Sequence, residues 1–137
     1  MCRVAMYELL KNDSELQAFG IDQNHLWPNF ALDGAPRDGI PWIVMRWGSR
    51  PSRFGRQPGG PLALTIWAYQ IRQKGSDFTV LDALLTRCTE LLGGVEHYEG
   101  TDGSVITSVD FRGYSEDLTD DGYDAIAKNA AYTVVCR

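Results

Sequence analysis

A chain of 137 residues that is 44% apolar is long enough to bury one packed core, so a single domain spanning 1–137 is expected. Its formal charge of −5 argues against a dedicated nucleic-acid binder, because duplex affinity rests on cation contacts to phosphate. No run approaches the roughly 18 apolar residues that cross a bilayer, and the start Met-Cys-Arg-Val-Ala-Met lacks a signal peptide's apolar stretch and cleavage site, so a soluble protein made in a cytoplasm, with no membrane partner, is expected.

Val4, Met6, Tyr7, Leu9 and Leu10 recur at roughly helical spacing, and Leu16 and Phe19 extend that face until Gly20 stops it. The stretch 21–39 carries Asn24, Pro28, Asp33, Gly34, Pro36 and Gly39 and reads as an irregular connection whose Leu26, Trp27 and Phe30 lie against the core. A strand is expected over 41–47 and a second from Leu62 to about Arg72, both apolar on two faces and therefore covered on part of each. Between them, residues 48–61 are too long and too rich in Gly and Pro for a tight hairpin, and a projecting basic loop is expected. Ser76 or Asp77 caps a helix in which Phe78, Leu81, Leu84, Leu85, Cys88, Leu91 and Leu92 share one face, and Gly93-Gly94 ends it. Val105, Thr107, Val109 and Phe111 alternate with Ile106, Ser108 and Asp110 in a third strand. An acidic segment then leads to a fourth strand over 130–136. This order predicts an α+β domain: a mainly antiparallel four-stranded sheet with the long helix on one face, an N-terminal helix, and the long loop between the first two strands. Cys2, Cys88 and Cys136 cannot all pair internally, and buried free thiols are expected, as suits a reducing compartment.

Charge is segregated along the chain. Arg46, Arg50, Arg53 and Arg56 have no acid among them and enclose Phe54, whereas Glu116, Asp117, Asp120, Asp121 and Asp124 cluster late. Two such surfaces can meet between copies; the basic loop alternatively faces DNA without base readout, or is simply solvated. Catalytic chemistry has little support. A calcium loop starting at Asp117 would need a bidentate Glu where Lys128 stands. His25 and His97 have no ligand partner at zinc spacing, Asp120 and Asp121 diverge as neighbours, and no Gly-Lys-Ser/Thr ending makes a phosphate loop.

In the order of its elements the chain resembles the tail terminator, or tail completion, proteins of long-tailed siphovirus-type bacteriophages. The likeness is carried by the Pro41-Trp-Ile-Val strand, Leu62-Ala-Leu-Thr-Ile-Trp-Ala-Tyr, Asp77-Phe-Thr-Val-Leu-Asp-Ala-Leu-Leu, Val109-Asp-Phe-Arg and Ser115-Glu-Asp-Leu-Thr-Asp-Asp-Gly-Tyr-Asp-Ala-Ile. The resemblance implies a virion protein without catalytic residues or cofactor, assembled in the host cytoplasm. It would form a ring, usually a hexamer, at the neck-proximal end of the tail, stopping growth of the tail-tube protein and offering its other face to the head–neck connector, with DNA passing through the lumen. A neck adaptor or a tail-tube relative shares the same sheet-plus-helix plan and is the alternative.

Overall fold

The computed structural model describes residues 2–28, 36–49, 61–73 and 76–137. Two short helices, α1 (Arg3–Lys11) and α2 (Ser14–Ala18), precede the sheet, and α3 (Phe78–Gly93) interrupts it. Seven strands follow the chain as β1 (Leu26–Trp27), β2 (Trp42–Ser49), β3 (Leu62–Ile71), β4 (Tyr98–Glu99), β5 (Val105–Tyr114), β6 (Leu118–Asp120) and β7 (Ala125–Cys136). Their spatial order is β1-β2-β3-β7-β5-β4, with β6 beside β7. The expected fold class, with its four-stranded, mainly antiparallel sheet, is therefore overturned: seven strands form a mixed sheet in which β1 runs parallel to β2. The three extra strands are only two or three residues long, too short to show any alternation.

The single N-terminal helix expected through Phe19 is broken at Asn12 and Asp13. Asp13 is extended at φ −74° and ψ 121°, and its carboxylate accepts from the Leu16 N–H at 3.0 Å, capping α2. Asp77 does the same for α3, accepting from the Thr79 N–H at 2.8 Å.

Side-chain alternation divides the sheet into two faces. On one, Ile43, Met45, Leu64, Ile66, Ala130, Tyr132 and Val134 pack with Ala5, Met6, Leu10 and Leu16 and with Leu81, Leu84, Leu85, Cys88 and Leu92. All three helices thus cover the same aliphatic face. The turn after β4 presses on α1 so closely that a Cβ at Gly100 would lie 2.8 Å from Ala5 Cα, which is why that position has no side chain. On the opposite face Trp42, Val44, Tyr69, Ala125 and Ala127 form a second, smaller core.

Free thiols do not describe the cysteines as a set. Cys2 and Cys136 form a disulfide between positions 134 apart in sequence, with Cα atoms 6.0 Å apart, which joins the start of α1 to the end of β7. No spacing rule reaches across such a separation. Cys88 is free and buried, and burial pushes its thiol up to about 12.

Candidate subunit interface

The late acidic segment is a hairpin and not an open connection. β5 runs antiparallel to the C-terminal half of β7, and β6 continues along its N-terminal half on the same side. Ser115 bridges the break: its N–H donates to the Asn129 carbonyl at 2.8 Å and its Oγ accepts from the Asn129 N–H at 3.0 Å. This pairing begins β7 at Ala125, five residues earlier than alternation alone suggested. At the tip, Asp120 Oδ1 accepts from the Tyr123 N–H at 3.0 Å, and Asp124 takes the left-handed φ of +53° that aspartate tolerates.

Several of the candidate acids are consequently occupied within the chain. Asp117 lies 3.4 Å from the Lys128 ammonium, which also binds Asp82 at 2.7 Å; the Asp82 hydrogen bond leads in raising the Lys128 pKa. Asp121 pairs with Arg72 at 3.3 Å, and Asp120 caps its own turn. Glu116 and Asp124 are exposed. Of the basic candidates, Arg46 projects from β2 with its guanidinium carbon 5.6 Å from the Trp67 ring centroid. Arg50, Arg53, Phe54 and Arg56 lie outside the described residues.

Arg46 and Asp120 flank one aromatic ladder. Trp42 and Tyr69 are cross-strand partners, stacked with centroids 5.3 Å apart, and Trp67 continues the stack at 5.9 Å from Tyr69. Tyr123 from the hairpin tip meets Trp42 edge-on at 5.9 Å and Tyr69 at 5.3 Å. Burial dominates in pushing the Tyr69 hydroxyl up to about 12, with Arg46 opposing the shift and Asp120 adding to it. Arg46 and Asp120 therefore lie beside one sheet face, whereas Asp117 turns with Lys128 toward Asp82 of α3.

The sheet has two open edges that pattern reading of the sequence missed. β4 covers only Val105 and Ile106 of β5, so residues 107–114 have no strand on the side away from β7 among the described residues. β1 covers only Ile43 and Val44 of β2, which leaves 45–49 open in the same sense. Successive antiparallel pairings β2–β3, β3–β7 and β7–β5 make the two edge strands run in opposite directions. Beside the β5 edge stand Phe111 and Tyr114, the exposed aromatic residues of the described chain, with ring centroids 4.6 Å apart. The Tyr114 hydroxyl donates to Thr89 Oγ1 at 3.0 Å, and Thr89 meets the buried Tyr132 hydroxyl at 2.8 Å, which pins this pair to α3. Two register shifts, at 106–108 and 111–113, place these rings where simple alternation does not.

No family model and no curated protein matches the chain. Among solved structures, a chain of the virion of native gene transfer agent (GTA) particle superposes with a TM-score of 0.67, over 98% of this chain and 93% of that chain, at 11% identity. At that identity the likeness is one of fold, and it extends over nearly the whole of both chains.

Proposed function

We propose that this chain is a structural subunit of a phage-like particle, a tail terminator that assembles head to tail into a ring, caps the tail tube and joins it to the head–neck connector. The observation that carries the reading is the pair of open sheet edges running in opposite directions. If the β5 edge of one copy meets the β2 edge of the next about an axis along the strands, the pairing is antiparallel and repeats identically at every subunit. Contacts between two different surfaces close into a ring when the rotation divides a full turn. Phe111 and Tyr114 would supply the buried aromatic area beside the strand pairing. Asp110 and Arg112, charges on the same strand, would disfavour indiscriminate pairing. A fold shared with a chain of a gene transfer agent virion and the resemblance to tail terminators support a role in a particle; the number six comes from the resemblance alone.

Electron microscopy of the purified protein, alone and with a polymerising tail-tube protein, tests this. Rings, or subunits at one tube end with growth arrested, are expected, and Phe111→Asp with Tyr114→Asp should abolish both while the subunit stays folded. A folded protein that neither caps nor shortens tubes defeats the terminator reading, and binding to the connector alone would make it a neck adaptor.

A further inference from the structure

His25 is only 6% exposed, yet both its ring nitrogens face carboxylates. Nδ1 lies 2.6 Å from Asp22 Oδ1, and Nε2 lies 2.9 Å from Asp38 Oδ2. Each carboxylate is itself held by backbone: Asp22 Oδ1 accepts from the Asn24 N–H at 2.8 Å, and Asp38 Oδ1 accepts from the Ile40 N–H at 3.0 Å. The His25 carbonyl accepts from the Ile43 N–H at 2.8 Å, which ties the residue to β2. A neutral imidazole has one N–H and one lone pair and can satisfy only one of the two carboxylates, whereas an imidazolium donates to both.

We propose that His25 is a proton-operated latch: as imidazolium it joins the 22–25 turn to the 36–40 segment and holds β1 against β2. On losing its proton it lets go of Asp22 or Asp38. Burial alone favours the neutral ring, but the hydrogen bonds and charges of the two carboxylates outweigh it and the net shift is upward. The His25 hydrogen bond leads in lowering Asp22; at Asp38 burial is the largest influence and opposes, but the His25 hydrogen bond, the Ile40 N–H and the His25 charge together outweigh it. Other charges nearby are turned elsewhere. Arg37 donates to the Tyr123 carbonyl at 3.2 Å, and Lys11, which shares a groove with Asp22, has its ammonium 5.9 Å from the Tyr7 ring centroid. Gln70, uncharged, donates to the Gly39 carbonyl at 3.0 Å, and β2 brings Trp42, Ile43 and Val44.

The direction of the pH dependence follows. With the folded-state value raised, the latch contributes fully below the ordinary histidine value of 6.5 and is lost as pH rises through the folded value. At the acid end both carboxylates are lowered, so their contribution is present above 3.8 and is lost as pH falls through their folded values. Because β1 lies on the start of the β2 edge, the latch also sets how much of that edge a neighbour meets. This consequence rests on the ring reading, and the latch itself does not.

Two-dimensional NMR titration of the full chain, with amide exchange of Ile43 followed over the same range, tests the latch. His25 is expected to titrate above the ordinary histidine value of 6.5, and Ile43 protection, corrected for intrinsic exchange, to fall about ten-fold across that titration, the scale of one charge-assisted hydrogen bond. The variant Asp38→Asn keeps an acceptor oxygen and removes the charge; it should lower the His25 midpoint and flatten the Ile43 profile. A ring that stays neutral throughout, a titration without any response at Ile43, or an Asp38→Asn profile identical to the parent would each overturn the proposal. Should Asp38→Asn unfold, the titration of the parent protein decides alone.

Discussion

The two faces of the sheet bury apolar surface by different means. Under the helices, leucines of α3 interdigitate with Leu64, Ile66 and Val134, and the cover consists of separate elements packed onto the sheet. On the opposite face no helix is present among the described residues; Trp42, Tyr69 and Trp67 stack across β2 and β3, and the hairpin tip closes them with Tyr123. Aromatic rings can cover a small area by themselves, so this face needs only a turn as its lid. The remainder of it, around Gly48, Ala63, Thr65 and Ala131, stays partly exposed. One face is thus covered by helices, and the other is left partly open among the described residues.

The largest effect should come from removing the ladder's largest fully buried ring. Trp42 is 1% exposed, and Trp42→Ala is expected to cost about 3–5 kcal/mol in urea unfolding and to abolish the near-ultraviolet circular dichroism of the stacked pair. Trp42→Phe should cost far less, about 1.5 kcal/mol or below, because the indole Nε1 is buried without a hydrogen-bond partner and only ring area is being used. Leu85→Ala on the helix-covered face should fall in the range of about 2–5 kcal/mol and leave the aromatic dichroism intact. Equal dichroism changes in the two alanine variants would erase the distinction between the faces.

A smaller effect probes how the helices are fastened. Asp13 caps α2 and is gripped by Arg87, with Nε at 3.0 Å and Nη2 at 2.7 Å, while Glu15 lies 3.2 Å from the same guanidinium. Asp13→Ala removes the cap and the acceptor together and should cost about 2 kcal/mol. The Arg87 hydrogen bond leads in holding the Asp13 carboxyl below its usual 3.8, with burial opposing. Its contribution is therefore present above 3.8 and lost as pH falls through the depressed value, and the variant should lose that part of the acid dependence of stability. Parallel stability curves for parent and variant between neutral pH and pH 2 would show that the tie contributes nothing.

What pattern reading could reach follows from which signals are local. The α3 face, its Asp77 cap and the glycine stop lie within one short stretch, and β2 and β3 have enough β-branched and aromatic residues to declare themselves. Asp13 was hidden because a capping aspartate inside a helical spacing looks like a polar face. β1, β4 and β6 exist only through their partners, and the Cys2–Cys136 disulfide only through the closure of the whole chain. At the candidate site, composition located Arg46 and the acids but not their neighbours. Carboxylates that looked like a surface patch also have turn chemistry, and the open edges are properties of topology that no window along the chain contains.

The smallest expected effect is the most useful for the aromatic side's lid. Asp121 is 92% exposed in its side chain and meets Arg72 at 3.3 Å, a geometry in which an exposed pair contributes roughly 0–1 kcal/mol. Asp121→Asn should therefore leave urea unfolding almost unchanged, since the turn is fastened by Asp120 and Tyr123 and not by this carboxylate. That neutrality makes the variant a clean probe of assembly: with the subunit intact, weakened rings would mean that the acidic tip meets a neighbouring copy, and unchanged rings would mean that its charges serve the hairpin alone. In the second case the ring proposed above would rest on the edges, where Phe111 and Tyr114 are, and the aromatic face would be closed for its own chain's sake.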